Sequence, residues 1–256
     1  MAKYRYMDGN PPMKRYGENF TNRIGDGTGR NTQDYIEIIR LLIALKAGGS
    51  FLDIGCGKGR FCKMAIPKMS EIVGIEPDFT RYDWTKNLLQ RIDNCLILNM
   101  DCHEYRKENP SKRFDIVLLS EVIQHVSTRA CSKLIQELHH LVKADGVIII
   151  ATSHASPKTK GFSWQKASNS ESFLSREEYD KYADDFGNHT KGIPVRRFSK
   201  NELLDLVSPK FEVVLWRQFK YVKESKVNFF VAKYNVPPEE ILHYGVSQFV
   251  VLQPKP

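Results

Sequence analysis

The segment around residues 51–60 constrains the fold more than any other part of the chain. The apolar run Phe51-Leu-Asp-Ile leads directly into three glycines at alternate positions, Gly55, Gly57 and Gly59. Glycine accepts positive φ and has no Cβ, so a turn of this kind lets the backbone approach a ligand closely. Arg60 stands where the last glycine of a G-x-G-x-x-G dinucleotide fingerprint belongs. The pattern predicts a strand, a ligand-binding loop and a helix, and it argues against NAD.

Four further apolar segments follow, and each ends at polar residues. They are residues 71–75 before Glu76, 95–100 before Asp101 and Cys102, 114–119 before Ser120 and Glu121, and 146–153 before His154. Glu76 comes 23 residues after Asp53, which is enough chain for one helix and a return to a neighbouring strand. Alternation of strands with amphipathic helices predicts a doubly wound, mainly parallel α/β sheet, with its ligands at the carboxyl edge.

Taken in chain order over residues 35–155, these segments resemble the motifs of class I S-adenosylmethionine-dependent methyltransferases. The resemblance implies a Rossmann-like sheet of seven strands, closed by an antiparallel last strand, and S-adenosyl-L-methionine as the cofactor. It also implies cofactor-binding positions on the four strand ends and the glycine loop. These positions are Asp53, Gly55, Cys56, Gly57, Arg60, Glu76, Asp101, Cys102, Ser120 and Glu121.

The implied roles differ among these residues. Glu76 is expected to accept hydrogen bonds from both ribose hydroxyls, and Asp101 to meet the adenine amino group. Arg60 is expected to bind the methionyl carboxylate, although a solvent-facing arginine is the alternative. Ser120 and Glu121 are expected to face the methionyl group or the methyl acceptor. The sequence Leu-Ser-Glu-Val at this point differs from Asn-Pro-Pro-Tyr, which argues against methylation of exocyclic base amines or glutamine side chains.

Two histidines follow strands at the expected active edge. His154 lies just after the fifth strand, where an acceptor would enter, and its near-neutral pKa suits a general base. The alternative for His154 is a solvated loop histidine. His125 lies within an apolar stretch, and we expect it to pack with a satisfied ring nitrogen. The cysteine spacings match no zinc pattern, so no metal site is predicted.

Composition is typical of a compact enzyme. The chain has 256 residues, 41% hydrophobic and 27% charged, and no apolar run of membrane-spanning length. Its first residues lack a secretory signal and its five cysteines are an odd number, so we expect a cytoplasmic protein with reduced thiols. The net charge of +8 favours solubility or an anionic substrate, with RNA binding as the alternative.

Three organisational expectations follow. Residues 1–31, rich in glycine, asparagine and charge, are expected to form an irregular N-terminal arm, with the catalytic domain over 32–256. The polar and aromatic segment 155–198 is expected to insert as a substrate lid. Residues 227–232 and 247–252 both qualify as the closing strand, and we prefer the second. The helix after Glu76 is expected to turn Trp84, Leu88 and Leu89 inward.

The sequence therefore predicts methyl transfer to oxygen or nitrogen of a small-molecule or peptide-like acceptor. The sulfonium already activates the methyl group, so the protein has mainly to align and desolvate the acceptor. An RNA- or protein-directed methyltransferase is the first alternative. The second alternative is a cofactor-binding module that has lost catalysis and serves as a partner.

Overall fold

Two β-sheets make up the framework of the computed structural model. The structure describes residues 32–155, 161–166, 171–185, 192–219, 227–234, 238 and 247–255. The main sheet has seven strands and the smaller sheet has three. The first five strands of the main sheet in chain order pair in parallel, whereas its last strand runs antiparallel to both of its neighbours. The predicted seven-stranded, mainly parallel sheet is therefore confirmed.

The main sheet consists of β1 (Ser50–Ile54), β2 (Glu71–Ile75), β3 (Cys95–Leu98), β4 (Phe114–Ser120), β5 (Val142–Ser153), β9 (Phe211–Phe219) and β10 (Ser247–Pro254). These strands lie in the order β3-β2-β1-β4-β5-β10-β9. The smaller sheet consists of β6 (Gly161–Lys166), β7 (Glu171–Leu174) and β8 (Gly192–Arg197). The helices are α1 (Thr32–Leu45), α2 (Arg60–Ala65), α3 (Phe79–Leu89), α4 (Cys102–Glu108), α5 (Thr128–Leu138), α6 (Arg176–Asp184), α7 (Lys200–Val207) and α8 (Val227–Tyr234).

Each face of the main sheet carries its own apolar core. On one face Phe51 packs with residues of α1 and α2, and on the other Leu52 packs with residues of α4, α5 and α7. Alternate residues of one strand thus enter different cores, as the pleat of a doubly covered strand requires. Burying a side chain of this size contributes about 2 kcal/mol of hydrophobic free energy, so both layers stabilise the sheet that presents the carboxyl edge.

The closing strand lies where we preferred it. Residues 247–254 form β10 between β5 and β9, and Phe249 and Val250 of this strand are completely buried. The competing segment 227–232 lies in helix α8. The sequence of residues 238–245 also predicts a helix, and this segment lies mostly outside the described residues.

The segment expected to be a lid contains the smaller sheet and helix α6. Strand β6 lies between β7 and β8, and both of its pairings are antiparallel. The sequence Ser-x-x-Glu at residues 175–178 and 199–202 predicts two capping boxes, and both are present, at Ser175 with Glu178 before α6 and at Ser199 with Glu202 before α7. The N-terminal arm, residues 1–31, lies outside the described residues.

Helix α3 departs from its predicted packing. Leu89 is buried as expected, but Trp84 is 57% exposed and Leu88 48% exposed, so the inward orientation predicted for these two was wrong. The ammonium of Lys58 lies 5.4 Å from the centroid of the Trp84 ring and covers part of it from the glycine loop. Among the helices in the described ranges, none has the length and apolar character needed to cross a membrane.

Candidate active site at the carboxyl edge

The glycine loop between β1 and α2 is fixed against the end of β2. The backbone N–H groups of Gly55 and Cys56 both donate to the carbonyl oxygen of Ile75, at 2.8 and 3.1 Å. Gly55, Gly57 and Gly59 have φ of 69°, 55° and 72°, which is the left-handed region where glycine is favoured. The backbone conformation therefore favours glycine at all three positions.

The three glycines differ in what surrounds them. A Cβ on Gly55 would lie 2.7 Å from Cγ2 of Val122, and one on Gly59 would lie 2.6 Å from Cγ2 of Thr85. A Cβ on Gly57 would meet nothing nearer than Nη1 of Arg81 at 4.0 Å. Gly55 and Gly59 thus allow close packing within the protein, whereas Gly57 leaves space beside the loop that a ligand can use.

Glu76, at the end of β2, faces this loop. It is 3% exposed, and its carboxylate accepts hydrogen bonds from the backbone N–H groups of Gly57 at 2.8 Å and Asp78 at 2.9 Å. Burial raises the pKa of Glu76, while the nearby guanidinium of Arg81 opposes that shift. Each carboxylate oxygen has two lone pairs and accepts one bond here, so both oxygens keep capacity for a ligand hydroxyl.

Asp53 lies on β1 beneath the loop and is 1% exposed. The thiol of Cys62, in α2, donates to its Oδ2 over 3.6 Å. Burial raises the pKa of Asp53 to about 7, and the Cys62 thiol and Arg60 guanidinium oppose this rise. The Asp53 side chain thus connects β1 to α2 next to the glycine loop. This is the position expected of a residue that orders the loop.

A second polar group gathers where β4 ends. Glu121 has φ of 59°, a strained value for a residue with a side chain, and its Oε1 is buried without a partner among the described residues. The other carboxylate oxygen of Glu121, Oε2, accepts a hydrogen bond from Nε2 of Gln124. The side-chain oxygen of Gln124 in turn accepts a hydrogen bond from the hydroxyl of Thr152 at 2.8 Å. Burial raises the pKa of Glu121 to about 7, opposed by the hydrogen bond from Gln124 and by the Arg60 guanidinium.

Arg60, Ser120 and Glu121 are brought together with a residue that sequence reasoning missed, Tyr35 of α1. Tyr35 is 2% exposed, and burial raises the pKa of its phenol, partly offset by the guanidinium of Arg60. Glu121 and Ser120 also lie close enough to influence that pKa. Because Tyr35 falls on the apolar face of α1, the sequence offered only a core interpretation of it, and no local signal pointed to this edge.

The remaining cofactor-binding candidates already have local partners. Asp101 is exposed and caps α4, accepting from the backbone N–H of Glu104 at 2.9 Å. Cys102 is buried in the core on the α5 side of the sheet. Cys56 is buried in the opposite core, and its carbonyl accepts from Gly59 at 2.9 Å. Their contribution to ligand binding stays a prediction.

The two histidines occupy different surroundings. His154 is partly buried beside Trp216, with 6.3 Å between ring centroids, and pairs with Phe198 in an isolated bridge at the end of β8. Burial lowers the pKa of His154, opposed by a hydrogen bond with the Ala155 backbone, so the ring is neutral at pH 7. His125 places Nδ1 2.9 Å from the carbonyl oxygen of Pro194, which confirms the predicted packing with a satisfied ring nitrogen.

The acceptor groups along this edge suit the hydroxyl and ammonium groups of a nucleoside joined to an amino acid. Within the described ranges, there is no group of three or more His, Cys, Asp and Glu side chains able to hold a metal ion. The unpartnered Oε1 of Glu121, the Glu76 carboxylate and the space beside Gly57 instead offer acceptors and room along one edge. S-adenosylmethionine, with its ammonium and ribose hydroxyls, fits such acceptors.

Comparison with known proteins agrees with this geometry. A family model described as a methyltransferase domain matches residues 29–203. The chain is similar to two ubiquinone biosynthesis O-methyltransferases of Rhodopseudomonas palustris. For strain BisB5 the identity is 28% over 151 residues, 57% of this chain and 58% of that protein. For strain HaA2 it is 31% over 106 residues, 41% of this chain and 40% of that protein. The match thus spans less than two thirds of either relative.

Two solved structures share the fold over most of the chain. One is the 1,6-didemethyltoxoflavin-N1-methyltransferase of Burkholderia thailandensis, with bound 1,6-didemethyltoxoflavin and S-adenosylhomocysteine. It has a TM-score of 0.54 and 14% identity, covering 96% of this chain and 92% of that one. The other, from Listeria monocytogenes, has a TM-score of 0.59 and 11% identity, covering 86% and 96%. At these identities the likeness shows the fold.

Proposed function

Because the chain belongs to the methyltransferase-domain family, we propose that it transfers a methyl group from S-adenosyl-L-methionine to oxygen or nitrogen of a small-molecule or peptide-like acceptor. The family match over residues 29–203 confirms the prediction of a methyltransferase domain. The solved neighbour with bound S-adenosylhomocysteine supports this cofactor. The individual site residues and the acceptor belong to the proposal.

The observation that carries the proposal is the position of Glu76. Its buried carboxylate lies at the end of β2, directly against the loop glycine whose surroundings are open. A buried carboxylate is costly unless it is hydrogen-bonded, and two backbone donors stabilise this one in a fixed orientation. The lone pairs left over are preorganised acceptors for two neighbouring ribose hydroxyls.

The methionyl end is assigned to the polar group at the end of β4. The guanidinium of Arg60 suits a carboxylate, and the unpartnered oxygen of Glu121 suits an ammonium. A hydrogen bond from Gln124, which is itself held by the hydroxyl of Thr152, keeps the Glu121 side chain in one orientation. When bound, the cofactor supplies an activated methyl group on sulfur. The carboxylate and the ammonium of its methionyl end would thus each meet a side chain of opposite charge.

The acceptor is assigned to the region beside His154, where the end of β5 meets the end of β8. A small molecule is supported by the curated relatives named for ubiquinone biosynthesis and by the solved neighbour with bound 1,6-didemethyltoxoflavin. His154 follows β5 and reaches the smaller sheet through Phe198, so its neutral imidazole is our candidate for accepting a proton from the acceptor.

Five free thiols support a cytoplasmic location.

The proposal is tested by calorimetry and an acceptor panel. The full chain is titrated with S-adenosylhomocysteine, and then incubated with labelled S-adenosylmethionine and separate pools of phenols, alcohols, amines, short peptides, RNA and protein. We expect micromolar or tighter binding of the product cofactor and label in a phenol, alcohol or amine pool. Binding without label transfer to any pool supports the non-catalytic alternative, and label in RNA or protein supports the directed methyltransferase.

A further inference from the structure

Three of the five cysteines lie together directly under the glycine loop. Cys56 belongs to the loop, Cys62 to α2 and Cys95 to the first position of β3. A Cβ on Gly74 would lie 2.9 Å from Sγ of Cys62 and 3.0 Å from Sγ of Cys56, so these two sulfurs are less than about 6 Å apart. Gly74 has no side chain, and the space that it leaves in β2 is where the sulfurs fit.

Cys62 is the centre of this thiol cluster. It interacts with the thiols of both Cys56 and Cys95, and it also donates to the carboxylate of Asp53 over 3.6 Å. One thiol thus connects β3 with the loop strand β1. The other two cysteines, Cys102 and Cys131, are buried in the core on the opposite face of the sheet.

The three thiols differ in accessibility. Cys56 and Cys62 are 7% and 0% exposed, whereas Cys95 is only half-buried at the edge strand β3. Hydrogen bonding from Cys62 lowers the pKa of the Cys95 thiol, against the effect of its partial burial. The pKa of Cys62 is raised well above its ordinary value by its contacts with the other two thiols and by burial. A dissolved oxidant therefore meets Cys95 first, and Cys95 is the thiol with more thiolate character.

We propose that Cys95 and Cys62 are a redox modification site that forms a reversible disulfide and thereby weakens cofactor binding. The oxidant is a peroxide. The Cys95 thiolate attacks one peroxide oxygen, the O–O bond breaks, hydroxide leaves and Cys95 becomes a sulfenic acid. The Cys62 sulfur then attacks the Cys95 sulfur, the S–O bond breaks, and water leaves with the Cys62 proton. The regulatory half rests on the proposed function.

The expected effect on cofactor binding follows from the contacts that Cys62 makes in the reduced protein. Its single proton can be donated to Asp53, to Cys56 or to Cys95, and a disulfide sulfur has no proton to donate to any of them. The buried Asp53 carboxyl then loses this donor directly below the glycine loop. Cys62 also lies in the same short helix as Arg60, so pulling the sulfur toward β3 shifts the start of α2. We expect the affinity for S-adenosylhomocysteine to fall roughly tenfold, the scale of one charge-assisted hydrogen bond.

The experiment uses the full chain, reduced or treated with hydrogen peroxide. Remaining thiols are blocked, the protein is digested without reductant, and peptides are mapped by mass spectrometry, while S-adenosylhomocysteine binding is measured on the same samples. We expect a Cys62–Cys95 cross-linked peptide, roughly tenfold weaker binding, and recovery of both with dithiothreitol. Cys95→Ser should bind normally and be insensitive to peroxide, and the matched control Cys131→Ser should behave as the unmodified chain.

Three results would overturn the inference. They are peroxide-treated protein without the Cys62–Cys95 peptide, a cross-link joining Cys62 to Cys56 instead, and the predicted cross-link with unchanged affinity. If the reduced protein fails to bind S-adenosylhomocysteine, the proposed function fails and the regulatory claim with it. The peptide map still decides the disulfide in that case, so the two failures are distinguishable.

Discussion

The backbone N–H of Gly57 donates to Oε2 of Glu76 across 2.8 Å, which joins the loop after β1 to the end of β2. This bond connects two motifs that lie 19 residues apart in the sequence. It holds the glycine with open surroundings against the carboxylate that we assign to the ribose. The loop is thus ordered before any ligand arrives, and this preorganisation reduces the entropy that binding must overcome.

The glycine loop offers a matched pair of substitutions. Gly59→Ala places a methyl group 2.6 Å from Thr85 at φ of 72°, so we expect a loss of about 2 to 4 kcal/mol of stability from strain and overpacking. Gly57→Ala has room for its methyl group and incurs only the strain, about 1 to 2 kcal/mol. Urea unfolding checks both values. Calorimetry on the folded variants should show the larger loss of cofactor affinity in Gly57→Ala, and equal losses would contradict our reading of the loop.

The raised pKa of Glu121 makes the free energy of unfolding depend on pH. Its pKa is raised from 4.5 to about 7 by burial, so the folded protein holds a proton that the unfolded chain has released between these values. Stability therefore falls as pH rises through this window. Because the residue as a whole is partly exposed, we expect a contribution of about 1 to 3 kcal/mol.

The measurement compares the unmodified chain with Glu121→Gln. Urea unfolding at a series of pH values gives the difference in stability between them, in which the similar contribution of Asp53 cancels. The unmodified chain should lose stability relative to the variant between about pH 4.5 and 7.5. A constant difference across that range would mean that Glu121 ionises normally.

His154 and His125 are expected to separate catalysis from stability. If His154 accepts the substrate proton, His154→Ala lowers turnover roughly a hundredfold or more and leaves S-adenosylhomocysteine affinity unchanged. Its pKa is lowered by burial, so the acid limb of the rate profile should fall below pH 6.5. His125→Ala loses the contact with Pro194 and should reduce thermal stability instead. If the His154 variant keeps near-normal turnover, methyl transfer depends only on alignment and desolvation of the acceptor, and His154 is not the general base.

The basic surface predicts weak RNA association only. With a net charge of +8, the chain should bind RNA non-specifically at low salt and release it by physiological salt, as counterion competition requires. A filter-binding series against salt concentration measures this. Tight, saturable and sequence-dependent binding at physiological ionic strength would favour the RNA-directed alternative over a small acceptor.

The parts of the fold that the sequence predicted are those with local signals. Strand β1 is a run of buried residues, the loop after it needs glycine at three positions, and Ser175 and Ser199 cap helices through partners three residues away. Each signal lies within a few residues of its effect. The parallel pairing of β1 to β5 then follows from strand-helix alternation.

The parts that it missed depend on contacts between distant segments. Tyr35 reaches Arg60 and Glu121 only once α1 has packed on the sheet, and its own surroundings in the sequence are apolar. Trp84 was expected inside because of its hydrophobicity, yet it remains exposed beside Lys58. In the smaller sheet, β6 alternates apolar and polar residues, but β7 and β8 carry little alternation, so the three-stranded sheet had no clear local signature.

The most direct test of the account is calorimetric titration of S-adenosylhomocysteine into the unmodified chain and into Glu76→Gln. The amide retains one acceptor oxygen but points an N–H₂ group at a backbone donor and at one ribose hydroxyl. Binding should be micromolar or tighter for the unmodified chain and weaker by about 1.5 to 3 kcal/mol for the variant. Glu71→Gln, at the opposite end of β2, should bind as the unmodified chain does. An unmodified chain that does not bind S-adenosylhomocysteine, or a Glu76 variant that binds equally well, would contradict the account.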